Sequence, residues 1–202
     1  MTVSEKVKAI KRSFRLYMNG VASRSMRDKG LDYKINWGIS QLELRNMAGQ
    51  YGKDAALADA LWGENIRECK ILATLVMPAT DMSYEQAGEW LAGITSVELA
   101  EVAAFNLFQY LPFADALVAD MLQSDNAILH VCAYNLACRM VRRGVLAAVG
   151  DRFFAAAAED IHSDNRQVLH PLVICLQLLV DAGTDEAAKS AQVLKEGGFD
   201  AF

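Results

Sequence analysis

Apolar residues recur at helical spacing along most of the chain, and extended runs of alternating β-branched residues are missing. In the first segment Val7, Ile10, Phe14, Tyr17 and Met18 form one face, with Lys8, Lys11, Arg12 and Arg15 largely off it. Gly20 is expected to end that helix, since glycine closes a C-terminus without steric cost. Beyond a loop containing Gly30 and Gly38, side chains suited to satisfy free amides announce new helices. Ser40 with Glu43 and Ser83 with Gln86 have capping-box spacing, and Asn65 with Glu68 is a looser version. Asp54, Ser96, Asp125 or Asn126, Asn165 and Thr184 are further N-cap candidates. Pro78 and Pro112 mark chain breaks, and Pro171 is expected to kink the helix that contains it.

These signals group the helices in pairs. First members are expected near Leu42, Ile66, Val97, Ala127 and Arg166, and second members near Ala55, Tyr84, Pro112, Val145 and Asp185. The spacing of roughly 25 to 40 residues is that of stacked helical repeats. Ser124-Asp125-Asn126 and Ser163-Asp164-Asn165 each open a long apolar helix, an internal echo at matching places in two repeats. A single pair cannot bury its apolar face alone, so neighbours must stack. The expected architecture is an all-α solenoid of about five antiparallel helix pairs with extra N-terminal helices. No linker rich in proline, glycine or serine interrupts it, so residues 1–202 read as one domain: basic helices over 1–38, then repeats over 39–202. A closed helical bundle is the alternative.

Composition narrows the chemistry. A hydrophobic fraction of 53% with 22% charged residues is that of a globular protein. No uninterrupted apolar stretch reaches the roughly 18 residues a membrane span needs, and the N-terminus lacks a leader's apolar core. Cytoplasmic residence is the expectation. Cys69, Cys132, Cys138 and Cys175 lie in apolar helical stretches without Cys-x-x-Cys spacing, and read as buried reduced thiols. His130, His162 and His170 have no partner at metal-ligand spacing, so neither metal nor cofactor is expected. A Ser-His-Asp order, a phosphate loop and a dinucleotide glycine fingerprint are all missing. The net charge of −5 hides an asymmetry: residues 1–34 carry nine basic and three acidic side chains, a surplus of +6, leaving −11 on the rest. A basic segment on an acidic body directs attention to polyanions.

From Ile39 to Leu136 the chain resembles the AlkD-like DNA alkylation repair family of HEAT-like repeat proteins. The resemblance rests on the order and spacing of several pieces: Ile39-Ser40-Gln41-Leu42-Glu43-Leu44-Arg45, then Tyr51-Gly52-Lys53, then Ala60-Leu61-Trp62. It continues with the helix Asn65 to Ala73, Trp90, the stretch Ser96-Val97-Glu98-Leu99-Ala100-Glu101, and Ser124-Asp125-Asn126. It implies a HEAT-like solenoid that cradles duplex DNA on its concave face. Active members hydrolyse the N-glycosidic bond of alkylated purines without metal or cofactor. That chemistry wants an anion beside an oxocarbenium-like sugar, aromatic faces around the deoxyribose and arginines on the flanking phosphates.

Carried over residue by residue, the family's Trp-Asp-x-x-Asp segment falls on Val97 to Glu101. Glu98 and Glu101 keep the carboxylates on one helical face, but Val97 replaces the tryptophan. The family's arginine falls on Val131, its second tryptophan near Ile174 and a later arginine near Gln177. A valine supplies neither a ring quadrupole nor a bidentate fork. The resemblance with these departures implies a nucleic-acid-associated protein whose alkylpurine excision is impaired or lost. Glu101 and Glu98 are the catalytic residues if excision is retained. Arg139, Arg142 and Arg143, with Lys8, Lys11, Arg12 and Arg15, are the candidate contacts to weakly bound duplex or branched DNA. Two alternatives stand beside this reading: a scaffold taking a basic protein partner in an acidic concave groove, and an active 3-/7-alkylpurine DNA glycosylase. Trp62 and Trp90 read as core.

Overall fold

A computed structural model describes residues 1–145, 149–183 and 185–199. Twelve α-helices are found among the described residues, and the only β-type pairing there is an isolated parallel bridge between Ile35 and Ile66. The chain divides into two compact units, Met1–Val102 and Ala103–Phe202.

The N-terminal unit contains α1 (Val3–Tyr17), α2 (Gly20–Asp28), α3 (Gln41–Tyr51), α4 (Ala55–Trp62), α5 (Arg67–Val76), α6 (Tyr84–Leu91) and the start of α7 (Val97–Asn106). The expected caps are made at Ser40, Asp54 and Ser83, whose side chains accept from the backbone N–H of Glu43, Leu57 and Gln86. Ser96 does the same for Leu99 at the start of α7. α5 packs on α3 and α4, and α1 packs on α4 through Val7, Ile10 and Phe14. Trp62 and Trp90 stack face to face, with centroids 4.2 Å apart and planes 2° from parallel. Both are core residues, as expected.

Two local expectations need correcting. Gly20 does not end α1; Met18 is its C-cap, and Gly20 opens α2 after an Asn19 cap. Asn65 and Glu68 form no capping box either. Ile66 is the N-cap of α5 and has no side-chain cap, the Asn65 amide oxygen accepts from Lys34 N–H, and Glu68 turns away into the interior. The spacing was right for a box, but a longer-range partner took the carboxylate.

Residues 33–40 form a strap held to α2 and its cap through backbone carbonyls of the strap. Asn19 N–H donates to Trp37 C=O at 2.9 Å, and Ser23 Oγ donates to Asn36 C=O at 2.7 Å. Gly38 sits where this strap meets α2, at φ +70°, and a Cβ there would lie 2.3 Å from Asn19 O and 2.6 Å from Ser23 N. Gly38→Ala should therefore destabilise this unit by about 2 kcal/mol or more, against about 1 kcal/mol for Gly30→Ala. Gly30 shares the positive φ but has nothing within 4 Å of its would-be Cβ. Urea melts followed by tryptophan fluorescence check this; equal costs at the two glycines would show that crowding at Gly38 contributes nothing.

The C-terminal unit contains the rest of α7, α8 (Ala114–Met121), α9 (Ala127–Arg142), α10 (Gly150–Asp160), α11 (Arg166–Asp181) and α12 (Ala187–Glu196). Asn126 and Asn165 cap α9 and α11 through the N–H of Ile128 and Gln167, so the echoed Ser-Asp-Asn does the same work twice. α9 and α11 bury Val131, Cys132, Leu136, Cys138, Leu172, Cys175 and Leu176 between their neighbours. All four cysteines are buried thiols outside any disulfide, and desolvation pushes the Cys132 thiol up to about 12, far from reactive thiolate character. α11 continues through Pro171 from Arg166 to Asp181. Val149 begins α10 without a cap of its own, but the Glu186 carboxylate accepts from Val149 and Gly150 N–H. The Thr184 cap lies outside the described residues. No described helix is long and apolar enough to cross a membrane.

Candidate nucleic-acid interface

The two carboxylates of the Val97–Glu101 segment have different surroundings. Arg67 sends a bidentate fork to Glu98, with Nε donating to Oε2 at 2.7 Å and Nη2 to Oε1 at 2.6 Å. Its remaining nitrogen Nη1 donates to Ile39 C=O at 2.9 Å and to Glu68 Oε1 at 3.0 Å. Arg67 is 1% exposed and Glu68 fully buried, while Glu98 keeps an edge in water. Glu68 in turn accepts from Trp37 and Ile39 N–H, which ties the strap to α5. Desolvation opposes the Arg67 charge most strongly, yet the two carboxylates hold its pKa above the ordinary arginine range. Burial raises the neighbouring Tyr33 phenol, whose oxygen shares a hydrogen bond with Ser96 at 3.3 Å. Glu98 is thus one partner of a buried network. Glu101, one turn further on, is exposed.

Of the positions where the resemblance places the remaining machinery, Val131 is buried at 1% exposure and Ile174 half-buried. Gln177 donates to Asp181 on its own helix at 2.9 Å.

The last turn of α9 is different. Arg139 lies over the Phe105 ring at 4.6 Å, and Arg143 over Tyr110 at 4.7 Å. Arg143 Nη1 also donates to Gln109 C=O, and the Gln109 amide donates to Phe105 C=O. Arg142 is exposed between them, as is Arg143. Phe105 and Tyr110 come from the end of α7 and the short 3-10 turn after it, and both are exposed. A guanidinium laid on a ring has its plane fixed and little rotamer freedom left to lose, which pre-organises its edge for an oxyanion. These rings were not among the sequence candidates; an aromatic residue on the polar side of α7 was the available signal.

The N-terminal stripe does not act as one patch. Lys11 donates to both carboxylate oxygens of Glu64 at 2.9 Å, and Lys6 donates to Asp54 at 2.6 Å, so both are committed within the fold. Lys8, Arg12 and Arg15 are exposed.

A second polar cluster joins α9 to α10. His130 Nε2 faces Ser124 C=O at 2.8 Å and its Nδ1 faces Asp160 at 2.6 Å; Tyr134 O–H donates to the same Asp160 oxygen at 2.6 Å. A carbonyl only accepts, so Nε2 carries a proton. The Asp160 hydrogen bond is the main reason the His130 pKa stands above its ordinary value. This contribution is fully present below about pH 6.5 and is lost as pH rises through the raised folded-state pKa. Amide exchange in α9 and α10 should therefore quicken as the pH rises above about 6.5, after correction for intrinsic rates, more in wild type than in His130→Gln. Equal pH profiles would remove His130 from this role. Among the described residues no group of three or more His, Cys, Asp or Glu side chains is placed to hold a metal ion.

The profile of the DNA alkylation repair enzyme family matches residues 10–169. The chain belongs to that family. No curated protein matches it. A solved structure described as "a new family of proteins related to the HEAT-like repeat DNA glycosylases with affinity for branched DNA structures" superposes with a TM-score of 0.79. It shares 12% identity, and the match covers 94% of this chain and 82% of that one. That likeness shows the fold: the paired helices of this alkylation repair family member are HEAT-like repeats. Their starts fall where the sequence placed them, apart from α10, which begins at Gly150 rather than near Val145.

Proposed function

We propose that this member of the DNA alkylation repair family binds DNA, with preference for branched duplexes, and no longer excises alkylated purines. The observation that carries the binding is the α9 cluster, in which two of three closely spaced arginines lie on exposed aromatic rings. Such an array offers phosphates fixed guanidinium edges, and the rings offer a stacking face where a junction exposes an unpaired base. Lys8, Arg12 and Arg15 add exposed positive charge that supports the same reading. The affinity of the structural neighbour for branched DNA supports the choice of substrate shape.

Loss of excision is supported by three local facts. Glu98 is committed to Arg67, Val97 has no ring to offer a sugar, and Val131 is buried in the core. Glu101 remains as a carboxylate, but without an aromatic cradle it has no means of holding the deoxyribose against it. The test is fluorescence anisotropy with a four-way junction and with linear duplex of the same arm sequence. The junction should bind several-fold more tightly at equal salt. Equal affinity removes the branch preference, and no binding at low salt removes the proposal.

A further inference from the structure

We infer that the groove between α1 and α2 is a docking site for an acidic amphipathic helix of another protein. The groove measures about 970 Å³ and lies wholly within the N-terminal unit. Leu16 and Val21 line it at 82% and 83% exposure, with Met18 at 58% and Tyr17 beside them. Aliphatic side chains left this open, contiguous on one small surface, mark an interaction site rather than scattered exposure. Arg24 lines the same groove, and Arg12, Arg15 and Arg27 stand exposed on the two helices that form it. The one lining carboxylate, Glu43, already receives the Ser40 hydroxyl at the cap of α3.

Charge and shape together choose the occupant. An apolar floor beside arginines complements a helix with an apolar stripe flanked by glutamate or aspartate. A nucleic acid fits it poorly, since Leu16, Met18 and Val21, the most exposed part of the floor, have no π-face for a base and no donor for a phosphate, and Tyr17 and Arg24 add one ring and one guanidinium to the lining. A basic segment would meet like charge. A second copy joined two-fold through this surface would set the same arginines against each other. This inference is independent of the α9 arginines.

The probe is a synthetic 18-residue helix with leucines at i, i+3, i+4 and i+7 spacing, glutamates along both flanks and a fluorescein label. Its counterpart carries lysine for every glutamate. With the full chain, the acidic helix should bind saturably and at least about tenfold more tightly than the basic one. Leu16→Glu/Val21→Glu should weaken that binding at least about tenfold, with the melting curve unchanged because neither side chain is packed. Arg15→Glu/Arg24→Glu should move the preference toward the lysine helix. The inference is overturned if both helices bind alike, if neither binds, or if Leu16→Glu/Val21→Glu binds as wild type does. It is also overturned if the wild-type chain is a dimer that Leu16→Glu/Val21→Glu dissociates.

Discussion

Replacing Arg67 by methionine should lower the stability of the N-terminal unit by about 3–5 kcal/mol, the usual cost of removing one partner from a buried ionic network. The substitution keeps the stem's volume but leaves Glu68, fully buried, with only backbone donors to face. It also frees the Ile39 carbonyl and returns Glu98 to a half-wet carboxylate. All three tryptophans, at 37, 62 and 90, lie in this unit, so their fluorescence reports its unfolding without a signal from the other. Glu98→Gln should cost less, because Glu98 keeps 22% of its side chain in solvent and glutamine can still accept from the fork. The double variant should cost less than the sum of the two, since both act on one network. An Arg67→Met cost below about 1 kcal/mol would put the interaction in the class of surface pairs and contradict its structural role.

The triple variant Arg139→Ala/Arg142→Ala/Arg143→Ala should lower affinity for a four-way junction by about a hundredfold at low salt, and should reduce the slope of log K against log salt by about 2–3. The slope is the stronger measurement. It counts phosphates neutralised, so a general loss of folded protein lowers the amplitude but leaves the slope. Lys8→Ala/Arg12→Ala/Arg15→Ala should change the slope by about 1 or less, because exposed lysines and arginines without a ring beneath them are less pre-organised. If the two variants behave alike, the aromatic supports at Phe105 and Tyr110 confer nothing.

The helical plan was legible in the sequence because it is written in local chemistry. Ser40, Asp54, Ser83, Asn126 and Asn165 each satisfy an amide within three residues, so a capping residue next to an apolar period locates its helix. Local reading failed where a distant partner won. Glu68 has capping-box spacing from Asn65, but Arg67 and the Trp37–Ile39 strap draw it inward. Nothing local to Arg67 marks it as buried, yet Glu98, 31 positions away, helps hold it as the largest fully buried side chain among the described residues. Lys11 reads in sequence as a candidate DNA contact, but Glu64, 53 positions away, takes its ammonium.

The candidate site divides the same way. The α9 arginines were visible as a dense cluster, while their ring partners, brought from α7 and the following turn, were not. Much of the wording that carries the family resemblance turns out to hold the fold. Lys53 donates to Leu75 and Met77 C=O at the end of α5, Trp62 stacks on Trp90, and Arg67 and Glu68 fasten the strap. These residues account for the fold, and the proposed loss of excision rests instead on Val97, Val131 and the committed Glu98.

That separation of binding from excision is tested most directly on one sample. A four-way junction carrying 7-methylguanine is saturated with the protein, and complex formation and released base are followed together. The account predicts a stable complex from which the methylated base departs no faster than from the free junction. Release above that background that falls with Glu101→Gln, or failure of any complex to form, would contradict it.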